Sequence, residues 1–169
     1  MQASVRPAEV EDARAIAAVH VASWRTTYRG IIDDETLSNL SVAQRTRGWV
    51  RSLTEQAEHN IVYVAEDDAG EVVGFVSGGS ERSEDPVYSG ELYAIYLLQE
   101  MQGQGIGRTL ATTLLNHLQT LGHSHVLVWV LEDNPATHFY ASMGATPVRE
   151  RNITIAGAEY RELGYGWQL

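Results

Sequence analysis

The chain has 169 residues, 44% hydrophobic and 20% charged, with 22 acidic against 12 basic side chains, a formal charge of −10 and no cysteine. That size and composition suit a single globular domain, residues 1–169, with its own core. They exclude a basic nucleic-acid surface, disulfides, a thiol nucleophile or a thiolate metal site and, with no long apolar run, a membrane-spanning helix.

Met1 to Pro7 lacks the apolar stretch of a signal peptide, so a cytoplasmic location is expected. Acidity maintains solubility and also suits a cationic small substrate, whose concentration an acidic cleft raises. Val5-Arg6 reads as a first strand ended by Pro7. Glu9 to about Tyr28 reads as a helix with Ala13, Ile16, Ala17, His20 and Trp24 on one face, closed by Gly30. Asp34 to Leu40 is a short helix, and Ser41-Val42-Ala43-Gln44 is a capping box that opens another through about Leu53. Thr54 to Asn60 is a polar loop. Ile61 to Glu66 and Glu71 to Ser77 form a hairpin about the turn 67–70, and Gly78 to Gly90 is a loop.

Glu91 to Leu98 is a strand rich in aromatic and branched residues. The helix from about Gly107 to Leu121 carries Leu110, Ala111, Leu114, Leu115, Leu118 and Leu121 on one stripe and ends at Gly122. His125 to Leu131 is a near-continuous apolar run, the pattern of a strand buried on both faces. Asn134 and Pro135 open a short helix ended by Gly144. Pro147 to Ile155, a turn at Ala156-Gly157, and Ala158 to Leu169 make a last hairpin. The order describes a mixed α/β domain with antiparallel hairpins flanking a parallel strand–helix–strand core.

Gly103, Gly105 and Gly107 lie between the strongest strand and the strongest helix. Glycines permit a sharp turn and a close backbone approach to a ligand. Free N–H groups at a helix start then suit phosphate or pyrophosphate. The dinucleotide fingerprint fails because Arg108 stands at its third glycine and no acidic residue follows at the right distance. A Walker loop fails for want of lysine.

Gln102-x-x-Gly105-x-Gly107 resembles the pyrophosphate loop of the GCN5-related N-acetyltransferases (GNAT), written Q/R-x-x-G-x-G/A. Arg6-Pro7-Ala8 with Asp12-Ala13-x-x-Ile16 is similar to that family's opening. Asn134 to Gly144 is similar to its N-x-x-A-x-x-F/L-Y-x-x-x-G-F element, with the alanine displaced and Ala145 for phenylalanine. The resemblance implies the acyl-CoA acyltransferase fold: a mixed, mostly antiparallel central sheet, flanked by helices, whose strands four and five splay apart. The pantetheine arm of acetyl-coenzyme A would lie between them, beside Ile95, Tyr96 and Leu97. Gln102, Gly103, Gln104, Gly105, Ile106, Gly107 and Arg108 would hold its pyrophosphate, and Asn134 would hydrogen-bond the arm.

By the same resemblance Tyr140 lies near the thioester sulfur, where a hydroxyl of ordinary pKa about 10 can protonate a leaving thiolate. The backbone N–H of Leu97 would stabilise the oxyanion. A primary amine must lose a proton before it attacks. Glu91, which strict alternation puts on the face of Tyr93, Ile95 and Leu97, is one candidate base, and water is another. The family's other base position, on strand five, holds Trp129 here, with Glu132 and Asp133 beyond it. Trp24, Tyr28 and Tyr93 would border the acceptor pocket, although Trp24 also reads as core, as does His20. His123 and His125 lack a third ligand for a metal.

The implied activity is acetyl transfer from acetyl-coenzyme A to a primary amine of a small molecule or peptide, by direct transfer and without a metal. A different acyl donor, a non-catalytic acyl-CoA sensor and a structural module are the alternatives. No nucleic-acid or membrane partner is expected. A homodimer through the C-terminal hairpin with Trp167 would be consistent with the pattern.

Overall fold

The computed structural model describes residues 3–55 and 60–169. Met1, Gln2 and most of the expected loop 54–60 lie outside them. The strands are β1 (Ser4–Pro7), β2 (Ile61–Glu66), β3 (Val72–Ser80), β4 (Gly90–Leu97), β5 (His125–Leu131), β6 (Thr146–Ile155) and β7 (Ala158–Gln168). The helices are α1 (Ala13–Thr27), α2 (Asp34–Ser38), α3 (Val42–Thr54), α4 (Ile106–Thr120) and α5 (Ala136–Ser142). All seven strands form one sheet in the order β1-β2-β3-β4-β5-β7-β6, antiparallel except for β4 with β5. No described helix is long and apolar enough to cross a membrane.

Several boundaries differ from expectation for identifiable reasons. β1 begins a residue early, at Ser4, and Pro7, its last residue, still pairs with Tyr63, which an edge strand tolerates because one row of its N–H groups has no neighbour. The first helix is preceded by a 3-10 turn, Val10–Asp12, closed by a reciprocal capping box between Glu9 and Asp12. Arg6 binds both oxygens of Asp12, at 2.8 and 2.9 Å, and Glu66 at 2.7 Å. The Arg-Pro-Ala…Asp pattern is thus a bidentate clasp from β1 to the start of α1. Ser41 accepts from Gln44 N–H at 3.2 Å as an N-cap. β3 runs three residues past the expected Ser77 because the Gly78-Gly79-Ser80 backbone pairs with Leu92, Glu91 and Gly90. A Cβ on Gly78 would stand 2.7 Å from a Leu114 methyl and 2.6 Å from the Glu91 carbonyl, so glycine lets α4 lie close on the sheet.

The helices sandwich the sheet. The Leu110, Leu114 and Leu118 stripe of α4 packs with Val76, Leu92, Val126 and Val128 on one face. Ile16 and Val19 of α1 pack with Val64 and Phe75 on the other. A third cluster joins Tyr28, Ile32, Leu37 and Leu131 to Ile153, Ile155 and Tyr160 of the last hairpin. Trp167 is only 4% exposed and donates its indole N–H to Met143 O at 3.1 Å, so it belongs to the core of this chain.

Two irregularities shape the centre. β4 and β5 stay in register for three pairs only, Gly90 with Val126, Glu91 with Leu127 and Leu92 with Val128. Across β3, Ser77 pairs with Ala94 and Gly78 with Leu92, which leaves Tyr93 as an extra residue. A bulge of that kind breaks strict alternation. Leu92 therefore shares a core cluster with Ile95 and Leu97, while Ala94 and Tyr96 face α1.

Candidate active site

Past Leu92 the two parallel strands diverge, and the gap between them opens into a cavity of about 890 Å³. Its walls include Tyr93 to Leu97 of β4, Trp129 to Leu131 of β5, the turn before α4, the α5 segment and the end of α1. Leu98 N–H donates to Val73 O at 3.0 Å. Hydrogen bonding alternates along an antiparallel pair, so the N–H and C=O groups of Leu97 and Ile95 point away from β3, toward the gap. The Leu97 carbonyl there accepts from the Gln102 side chain at 3.2 Å, a strap that ties the turn to the strand end.

The turn is built for bare amides. Gly103 and Gly105 have φ of +79° and +85°, a region where a side chain is strained. Gly105 is the N-cap of the 15-residue α4, and Thr109 N–H is the first to bond back, to Gly105 O. The N–H groups from Gly103 to Arg108 therefore have no backbone acceptor among the described residues, at the positive end of the helix dipole. A Cβ on Gly103 or Gly105 would meet nothing within 4 Å, so open space lies over them. Arg108 is the one cation among the cavity-lining residues and reaches Ser142 O at 3.4 Å. Backbone donors, a helix dipole and one guanidinium fit a diphosphate on an otherwise acidic protein.

Asn134 is buried; its Oδ1 caps α5 by accepting from Ala136 N–H at 2.8 Å, and its Nδ2 faces the Tyr28 hydroxyl at 3.4 Å. That hydroxyl lies 3.2 Å from the Tyr96 hydroxyl. Burial raises all three tyrosine hydroxyls here, Tyr28, Tyr96 and Tyr140, and the neighbouring Tyr28 adds to the effect on Tyr140. Tyr140 lies on the inward side of α5, between Phe139 and Trp167, and its hydroxyl has no protein hydrogen-bond partner among the described residues.

Of the residues expected from sequence, Trp24, Tyr28, Tyr93, Ile95, Tyr96, Leu97, Gln102, Gly103, Gly105, Gly107, Arg108, Asn134 and Tyr140 line this cavity. Gln104 and Ile106 do not; Ile106 is buried in the core under the turn. Glu91 does not reach it either. The bulge at Tyr93 removes it from the face of Ile95 and Leu97, and both its oxygens bind Arg82, Oε2 at 2.7 Å and Oε1 at 3.3 Å, with the Arg82 N–H at 3.1 Å from Oε1. Arg82 also lies 4.0 Å from the Tyr93 ring centre, and the Tyr93 hydroxyl, raised to about 12 by burial, donates to Ser80 O at 2.6 Å. Glu91 thus pins the 80s loop. Arg82→Ala removes the side-chain donors of a carboxylate that is 3% exposed, and a stability loss of about 1–3 kcal/mol is expected. A denaturant titration measures it.

His20 is held away from the cavity in an aromatic box. Its Nδ1 faces the Trp49 N–H at 3.3 Å, its Nε2 faces Arg45 at 3.4 Å, and its ring stacks on Tyr96 at 5.3 Å. Burial, then the Arg45 charge, lower it to about 4, so it is neutral near pH 7. Sequence reasoning did not single out Phe139, Ile153, Ile155 and Glu162 as lining residues. The hairpin residues among them carried a usable signal. A two-residue turn at Ala156-Gly157 puts Ile155 opposite Ala158, and counting back puts Arg151 opposite Glu162 on the face of Ile153. Among the described residues no group of three potential ligands is gathered for a metal.

The model of the Acetyltransferase (GNAT) family matches residues 21–145. An uncharacterized N-acetyltransferase, YuaI, of Bacillus subtilis is 46% identical over 165 residues, 97% of this chain and 92% of that protein. An L-methionine sulfoximine/L-methionine sulfone acetyltransferase of Pseudomonas paraeruginosa is 29% identical over 80% of this chain and 74% of its own length. PaiA N-acetyltransferase of Thermoplasma acidophilum, solved with coenzyme A, superposes with a TM-score of 0.77 at 20% identity and covers both chains fully.

Proposed function

On the premise that this chain belongs to the acetyltransferase (GNAT) family and uses acetyl-coenzyme A, we propose that it acetylates a primary amine by direct transfer within a ternary complex. The observation that carries this reading is the parting of β4 and β5 after three register pairs, with the Leu97 and Ile95 backbone turned into the gap below a turn of unpaired amides.

Bound acetyl-coenzyme A supplies a thioester carbonyl as acyl donor. The amides from Gly103 to Arg108 take the diphosphate, and Asn134 and the Ile95–Leu97 strand edge orient the arm. Leu97 N–H donates to the carbonyl oxygen as negative charge develops there. The amine nitrogen forms a C–N bond as the C–S bond breaks, Tyr140 gives its proton to the departing sulfur, and the proton shed by the acylated nitrogen restores the Tyr140 hydroxyl directly or through water. An aliphatic ammonium of ordinary pKa about 10.4 first yields a proton to water or to a carboxylate at the cavity wall. With no cysteine in the chain, an acyl-cysteine intermediate has no carrier.

A panel of amines and peptides with acetyl-coenzyme A, read as thiol release, tests the proposal. Acetylated product with at least one amine class is expected. Coenzyme binding by calorimetry with no thiol released across the panel would make the chain a sensor instead.

A further inference from the structure

We propose that the acceptor is a primary amine on a compact apolar or aromatic body without an adjacent carboxylate, and that Glu162 receives its ammonium group. The inference rests on the transferase reading above and concerns the part of the cavity away from the glycine turn.

That part is walled by Trp24, Tyr28, Trp129, Ile153 and Ile155. Glu162, directly opposite Leu131 at the end of β5, is the single carboxylate among the lining residues. Its Oε1 accepts from Arg151 Nε at 2.9 Å, while Oε2 has no hydrogen-bond donor among the described residues. On the same wall the Tyr28 hydroxyl connects to Tyr96 and Asn134. Arg151 in turn lies 4.0 Å over the Trp129 ring, so the carboxylate is held by a side chain that is itself packed. Aromatic faces with one fixed carboxylate are the chemistry of ammonium recognition.

The charge inventory then separates two kinds of amine. An α-amino acid brings a carboxylate that needs a cation. The one cation lining the cavity, Arg108, stands at the N-terminus of α4 beside the diphosphate turn. The indole nitrogens of Trp24 and Trp129 are sealed from solvent and offer that carboxylate no donor. A zwitterion would set its carboxylate beside that of Glu162, where the neighbouring cation, Arg151, already donates its Nε–H to Glu162 and lies over the Trp129 ring, a cost that a plain amine does not meet.

The test compares each amine with its carboxylated counterpart: phenethylamine with phenylalanine, tyramine with tyrosine, isopentylamine with leucine. The amine of each pair is expected to have kcat/KM about tenfold or more above the amino acid. Glu162→Gln is expected to raise KM for the amine by about tenfold, leaving coenzyme affinity unchanged by calorimetry, and Glu162→Asp to recover part of the loss. Equal or better use of the amino acids, or an unchanged KM in Glu162→Gln, overturns the inference and leaves the transferase reading intact. Absence of thiol release with every amine of the set and of the wider panel overturns that reading, and the inference with it. The amine–amino acid comparison needs only the native chain, so it stands even if the variants fold poorly.

Discussion

Gly105→Asp is expected to abolish measurable coenzyme binding while the protein stays folded. The two halves of that statement have separate causes. Gly105 is an N-cap with φ of +85° and open space around its Cα. Aspartate is among the best N-cap residues and among the few that tolerate a left-handed backbone. The thermal midpoint should therefore fall by only a few degrees. The new carboxylate, however, would stand among amides that are free from Gly103 to Arg108. A charge about 5 Å from each phosphate, at an effective dielectric near 20, disfavours the anion by about 3 kcal/mol or more, a loss of at least ~100-fold. Calorimetry with coenzyme A reads it directly, and an unchanged affinity would remove the turn from the binding site. Gly107→Ala is the control. A Cβ there meets the Phe139 ring at 3.7 Å, an ordinary contact, so affinity should change little.

Tyr140→Phe should leave coenzyme affinity within about twofold and lower kcat by about 10²-fold, the usual scale for a positioned proton donor. The hydroxyl has no hydrogen-bond partner among the described residues, so its removal leaves none of them unsatisfied, and the ring keeps its contacts with Phe139 and Trp167. The pH behaviour has a definite sign. Burial and the Tyr28 hydroxyl shift Tyr140 upward, so its protonated form persists above the ordinary tyrosine pKa of about 10. In the native chain kcat should therefore show no falling limb from this group between pH 7 and about pH 10. A limb in that range that vanishes in Tyr140→Phe would show that the hydroxyl titrates normally and sits in a wetter place than the packing allows. An unchanged kcat would remove Tyr140 from the chemistry.

Much of the architecture was legible because local signals agreed with the tertiary outcome. The α4 stripe and the His125–Leu131 run emerged with boundaries within a residue, since each buries what its periodicity exposes to the core; Leu121, expected on the stripe, is the exception, exposed one residue past the helix end. The glycine turn was legible because two of its positions need positive φ. What failed was whatever depended on register between distant segments. The expectation that Glu91 faces the cavity assumed an unbroken alternation that the extra residue at Tyr93 interrupts. A bulge is set by the partner strand, where Gly78 makes room for α4, and Glu91 itself carries no mark of it. The place of Glu162 in the cavity wall was hidden for a related reason. Its pairing with Arg151 follows from the Ala156-Gly157 turn, but its position at the cavity depends on β7 returning beside β5, some 30 residues later in the chain.

The parting of β4 and β5 leaves the sheet with an exposed rim in its interior. An unpaired strand rim at the outside of a protein invites other chains to add on, and open-ended stacking follows. Here the unpaired stretch faces a cavity lined by β4, β5 and the helices around them, away from the sheet's outer edges β1 and β6. A linear guest could use that inner rim as a ladder of main-chain groups without the rim standing at the outside of the protein.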